Sequence, residues 1–220
     1  MILNFQLFIF FYSVYVSKDG TRNQECTQSN PCESISDVLF NRKDKITVFL
    51  DPGDPNTTNL NDGSSGEEKR RNIRSANNNE TDFEDLPHEY ELLLPLNLKA
   101  DVTLKSYYPE LSDFRPIITT KQKRLFIMQN HQGFRVENVN FHLPDGGILL
   151  EIDSRHHLLD QVTLKNSNIL IGEDLPTPSL TGVYMKNYQT VNHIYAENVT
   201  IGKGSLIKIK GDPFLSLIHI

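Results

Sequence analysis

The chain has 220 residues, a formal net charge of −6 and no tryptophan. That length suits one domain of ordinary size with a sizeable core. The acidic balance, with a pI near 5.6, excludes recruitment to nucleic acid or anionic lipid by charge.

Met1 to Val16 is almost wholly apolar or aromatic. It is too short for a membrane span and has the length of a signal-peptide core, so residues 1–13 are expected to be a secretory signal. Cleavage near Ser13 leaves Val14-Tyr15-Val16 as a first strand. The competing reading is a buried strand throughout, because no Lys or Arg precedes the run and Phe11-Tyr12-Ser13 is a poor small-residue cleavage site.

Cys26 and Cys32 are the only cysteines, separated by Thr27-Gln28-Ser29-Asn30-Pro31. After a secretory signal they are expected to form a disulfide pinning a small loop. Two thiols without a nearby His do not make a structural zinc site. Ile35, Val38 and Leu39 fall on one face of a short helix over 32–40, with Ser34 able to cap it. Such a helix would cover the open end of a stack of strands. Ile46 to Leu50 is the first well-marked strand, ended by Asp51-Pro52-Gly53, so 14–53 forms an N-terminal cap and first coil.

Residues 54–87 are rich in Asn, Ser, Gly, Glu and Arg and nearly free of large apolar side chains. They are expected to be a disordered insertion. Its basic run Lys69-Arg70-Arg71-Asn72-Ile73-Arg74 is flanked by acids and reads as a solvated loop before it reads as a processing site.

Strands resume over 88–214: Tyr90 to Leu94, Val102 to Lys105, Ile117 to Thr120, Leu125 to Met128, Ile148 to Ile152, Val183 to Lys186 and Leu206 to Lys210. Between them a phrase recurs: Phe134-Arg135-Val136-Glu137-Asn138-Val139-Asn140-Phe141, then Val162-Thr163-Leu164-Lys165-Asn166-Ser167-Asn168-Ile169, then Ile194-Tyr195-Ala196-Glu197-Asn198-Val199-Thr200-Ile201. A weaker copy is Val102-Thr103-Leu104-Lys105-Ser106. The keyed positions 106, 138, 166 and 198 are 32, 28 and 32 residues apart, a spacing typical of arrays whose units bury their apolar faces against neighbours.

Within each copy apolar residues alternate at strand period until Asn interrupts them. Asn tolerates left-handed backbone angles and bends the chain between two short strands. The expected fold is therefore all-β: a right-handed, single-stranded parallel β-helix with a short N-terminal capping helix. Asn138, Asn166 and Asn198 would stack as an internal ladder. A β-sandwich with Asn-containing turns is the alternative. Asn56, Asn79 and Asn198 head Asn-x-Ser/Thr triplets and are the candidate glycosylation sites of an exported chain.

Val14-Tyr15-Val16-Ser17-Lys18-Asp19-Gly20, then Cys26, Pro31-Cys32 and Ser34-Ile35, resembles the first coil of pectin-lyase-like right-handed β-helix proteins. It is especially similar to secreted or surface proteins of protists and to chlamydial polymorphic membrane proteins. The resemblance covers residues 14–53 and, generically, the Asn-containing repeats. It implies the fold and carries over no catalytic residue. Residues 215–220, ending Leu217-Ile218-His219-Ile220, resemble a translated sequencing-adapter tail, so the chain is expected to be an N-terminal fragment.

The Asn-Thr-Asp, Asp-Asp, Gly-His-Gly and Arg-x-Lys motifs of polygalacturonases are not found. Glu151 and Asp153 are the best local pair of acids for glycoside hydrolysis, although inward alternation of Leu150 and Ile152 equally makes them solvated outward residues. Asp153, Arg155 and Asp160 are the nearest match to a lyase site. His156 and His157 would point opposite ways on a strand, and His131, His142 and His193 have no ligand spacing.

No catalytic residue, metal site or cofactor is assigned. The expected function is a non-catalytic, adhesin-like or structural module, secreted or at the cell surface. Its expected ligand is a carbohydrate or another cell-surface molecule and not nucleic acid, with any membrane anchor in a missing C-terminal part. The alternative is a polysaccharide lyase or glycoside hydrolase with its site in missing coils or near 151–160.

Overall fold

Alternation of apolar residues at period two gives short strands throughout the chain, and the computed structural model describes residues 12–22, 25–40, 43–53, 86–110, 114–129, 132–153, 161–171, 179–186, 193–210 and 218–219. The elements in order are β1 (Tyr12–Thr21), α1 (Ile35–Leu39), β2 (Ile46–Leu50), β3 (Glu89–Glu91), β4 (Leu96–Leu98), β5 (Val102–Ser106), β6 (Ile117–Thr119) and β7 (Arg124–Met128). Then follow β8 (Gly133–Glu137), β9 (Asn140–Leu143), β10 (Ile148–Ile152), β11 (Gln161–Ile171), β12 (Leu180–Met185), β13 (His193–Ile201), β14 (Gly204–Ile209) and β15 (Ile218–His219). The protein is mostly β, and the named strand pairings are all parallel.

Two sheets result. A ten-stranded sheet runs β1-β2-β5-β8-β11-β9-β6-β3, with β13 and β15 continuing from β11. A five-stranded sheet runs β14-β12-β10-β7-β4. The repeated phrase explains why β11 pairs twice: Gln161 to Lys165 lies beside β8, while Ile169 to Ile171 lies beside β9. The bend between the halves falls at Asn166, φ +48°, matched by Asn138 at +57° and Asn198 at +53°. A left-handed residue reverses the alternation locally, and Asn accepts that conformation more readily than most side chains.

Equivalent positions of the phrase become neighbours. Ile46, Val102, Phe134, Val162 and Ile194 form one in-register row, and all five are buried. Burying each such side chain contributes about 1.5–3 kcal/mol, which fixes the register: a one-residue slip would turn the whole row to water. Phe126 of β7 meets Phe134 from the other sheet, with ring centroids 5.1 Å apart.

The β1 end is closed by local structure. The Cys26–Cys32 disulfide holds a loop whose backbone pairs with the outer edge of β1: Tyr15 N–H donates to Cys26 O (2.8 Å), Thr21 N–H to Pro31 O (3.0 Å) and Glu33 N–H to Thr21 O (3.3 Å). Ser34 Oγ caps α1 by accepting from Asp37 N–H, and Ile35, Val38 and Leu39 are buried. The helix packs against β4. Buried Tyr90 donates to Asp51 O at 2.7 Å and lies within 3.2 Å of Val16 O, tying β3 to the first two strands. Its phenol is pushed far above the ordinary range, first by burial and then by the Asp51 charge.

Several expected boundaries move. The first strand begins at Tyr12, so Tyr12 and Ser13 pair with Ile46 and Thr47. β3 stops at Glu91, and Leu93 and Leu94 are exposed in the turn before β4, a strand too short to read from Leu96-Asn97-Leu98. Gly182 sits within β12 and not ahead of it; a Cβ there would lie 2.8 Å from Leu206 O, so close approach of β14 requires glycine. Ile218 and His219, in the segment read as a foreign tail, pair with Ile194 and Tyr195. The expected insertion is described only from Leu86, and residues 1–11 lie outside the described residues.

Candidate functional site

The sequence singled out Glu151 and Asp153, at the end of β10. Parallel register places Glu151 between Ile127 of β7 and Tyr184 of β12. Arg124, three residues before Ile127, reaches over to donate to Glu151 Oε1 at 3.1 Å. Lys186, just after β12, places Nζ 3.9 Å from the same oxygen and 3.0 Å from Asp153 Oδ2. Its backbone N–H is held by Ile152 O at 2.9 Å, and Asp153 N–H by Met128 O at 2.9 Å. Four charged side chains thus meet in a neutral knot across three adjacent strands.

The expectation that Glu151 is a solvated outward residue is corrected: it is 5% exposed. Buried carboxylates require charged partners, and the neighbouring strands supply two cations that the linear pattern around residue 151 does not contain. The Lys186 ammonium is held above its ordinary range, first by the hydrogen bond to Asp153, then by the Asp153 and Glu151 charges; burial and the Arg124 charge oppose the shift.

In this arrangement both carboxylates are engaged by cations. Glycoside hydrolysis needs one carboxyl group protonated and its partner free to act on water or sugar. Here Lys186 bridges both carboxylates, and Arg124 occupies the buried one. Among the described residues no group of three or more His, Cys, Asp or Glu could hold a metal ion. Arg155, His156, His157 and Asp160 lie outside the described residues, as do His131, Asn56 and Asn79. His193 is exposed at the start of β13, while His142 Nδ1 lies 3.9 Å from Glu89.

Of the internal ladder expected over Asn138, Asn166 and Asn198, one side-chain rung is described, between Asn166 and Asn198, and it lies at the surface and not inside the stack. Asn198 Nδ2 donates to Asn166 Oδ1 at 3.0 Å, and Asn140 Oδ1 accepts from Asn168 N–H at 3.1 Å. At the Asn138 level the backbone takes over, with Asn138 N–H donating to Lys165 O at 3.1 Å. A sugar on Asn198 and the Asn166 contact therefore draw on the same amide nitrogen.

A second row was missed at the sequence level. Tyr15, Phe49, Lys105, Glu137, Lys165 and Glu197 occupy one in-register row along the outward side of the sheet. Tyr15 stacks on Phe49 (5.1 Å, 15°), and Tyr107 meets the Tyr15 edge at 5.5 Å. Gln28 of the disulfide loop donates to the Tyr107 hydroxyl. Lys105 pairs with Glu137 at 2.6 Å and Lys165 with Glu197 at 2.9 Å. Tyr195 donates to Glu197 at 2.9 Å, and Lys165 Nζ stands 5.1 Å from its ring centre. Hydrogen bonds from Lys165 and Tyr195 hold the Glu197 carboxyl below its ordinary range, with the Lys165 charge adding to them. The legible signal was the charged slot before Ser106, Asn138, Asn166 and Asn198, whose sign alternates from copy to copy.

Comparison with protein-family models, with curated proteins and with solved structures found no match.

Proposed function

We propose that the chain is a non-catalytic extracellular module: a right-handed parallel β-helix whose stacked strands hold a rigid outward face for display to a carbohydrate or another cell-surface ligand. Parallel pairing of strands one repeat apart supports the fold, since β5, β8, β11 and β13 follow one another in the sheet as in the sequence. Export is supported by the apolar leader and by the Cys26–Cys32 disulfide, which persists in oxidising compartments.

The observation that carries the non-catalytic reading is the Glu151 knot. A buried carboxylate engaged by Arg124 and Lys186 is a structural charge, and Asp153 shares the same ammonium. The competing reading is a polysaccharide lyase or glycoside hydrolase acting beside Asp153. Purified protein is expected to show no turnover of pectin or polygalacturonate. Turnover that Asp153→Ala abolishes, with thermal stability unchanged, would establish the enzyme.

A further inference from the structure

We propose that the outward charge row of the ten-stranded sheet is a self-recognition surface that pairs with a second copy of this chain. The row reads Lys105, Glu137, Lys165, Glu197 on β5, β8, β11 and β13, with consecutive members in register. Its signs are palindromic in the sense two-fold symmetry demands. Reversed and laid against itself, the row sets Lys105 opposite Glu197 of the second copy and Glu137 opposite Lys165, each contact occurring twice.

Only one face-to-face orientation does this. A two-fold axis parallel to the strands, between Glu137 and Lys165, reverses the row; an axis along the row would set like charges opposite each other. The same operation acts on the parallel row Thr103, Arg135, Thr163 and Tyr195, which is also in register. It sets Arg135 against Thr163 and brings Tyr195 over the strand position of Thr103, which is itself only 9% exposed, without a like-charge contact. Side chains of the charge row keep between 26% and 53% of their surface, so they are open to a partner, and intramolecular pairing already holds them in place. Each charge would gain an opposite neighbour across the interface beside the one along its own row, making a network where isolated surface pairs contribute little.

Four strands and five residues make a patch of about 20 Å by 16 Å. That is well under the roughly 800 Å² per partner of a stable complex, so the dimer is weak and salt-sensitive, with a Kd of about 0.1–1 mM. The proposal uses the outward face alone and stands whether or not the display reading does.

Sedimentation of the full chain up to about 1 mM, at low and at high salt, tests it. Wild type should dimerise at low salt and dissociate at high salt. K105E and E197K should each be monomeric, because each sets like charges opposite one another twice. Their 1:1 mixture should form a heterodimer within threefold of wild-type affinity, because both contacts are restored. E137K with K165E repeats the design one step inward, should either outer variant fail to fold by circular dichroism. A monomeric wild type, single variants that still dimerise, or mixtures no stronger than their components would each overturn the proposal.

Discussion

At the β1 end of the sheets a disulfide loop occupies the outer strand edge, α1 covers β4 and Tyr90 is tied to the backbone below it. At the β13 and β14 end, Val199, Ile201, Leu206 and Ile207 pack against the core yet remain only half-buried, while Val14, Val48 and Leu104 are completely enclosed. One alternating pattern therefore gives a tightly enclosed core at the β1 end and, among the described residues, a looser one at the β13 and β14 end. The contrast teaches that a strand's stability here comes from what is stacked on it more than from its own composition.

Equal truncations at the two ends should separate them most. Leu104→Ala is expected to cost about 3 kcal/mol in chemical denaturation, and Leu206→Ala less than about 1 kcal/mol. Equal costs would abolish the distinction. Opening the sealed end by Cys26→Ser with Cys32→Ser should lower stability by about 2–3 kcal/mol, because the loop regains its freedom in the unfolded chain and the β1 edge loses its cover. In hydrogen exchange the Tyr15 and Thr21 amides should lose protection in that variant while those of β11 keep theirs.

The middle of the five-stranded sheet should behave like the sealed end. Arg124→Met removes the 3.1 Å donor from buried Glu151 and should cost about 1.5–3 kcal/mol. The same change at Lys121, on an exposed 4.0 Å pair with Glu91, should be close to neutral. The smallest effect lies on the looser end. With its folded-state pKa depressed, Glu197 stabilises the fold above the ordinary carboxylate pKa, and that contribution is lost as pH falls through the depressed value. NMR titration should place Glu197 below an ordinary glutamate, and Lys165→Met should bring it back up.

Much of the architecture was legible because the repeated phrase encodes both a strand and its bend: Asn138, Asn166 and Asn198 all take left-handed angles. α1 was legible from Ile35, Val38, Leu39 and Ser34, since helical spacing and a cap are local signals. The Glu151 knot was not. Arg124 and Lys186 lie far from it in the chain, and only parallel register brings them to one carboxylate. Local alternation predicted which side of the strand Glu151 takes but not what covers that side. β4 escaped notice because three residues carry too little periodicity to stand out from a Pro-Leu-rich turn.

Register between successive copies of the phrase can be read directly by engineered cross-linking. Lys165→Cys with Glu197→Cys places two thiols on in-register neighbours, about 4.8 Å apart at Cα and within disulfide reach. Lys165→Cys with Thr200→Cys displaces the second thiol by three residues. Parallel in-register stacking predicts that mild oxidation closes the first pair and leaves the second open, as read by non-reducing peptide mapping. Efficient closure of the displaced pair, with the 165–197 pair left open, would contradict it.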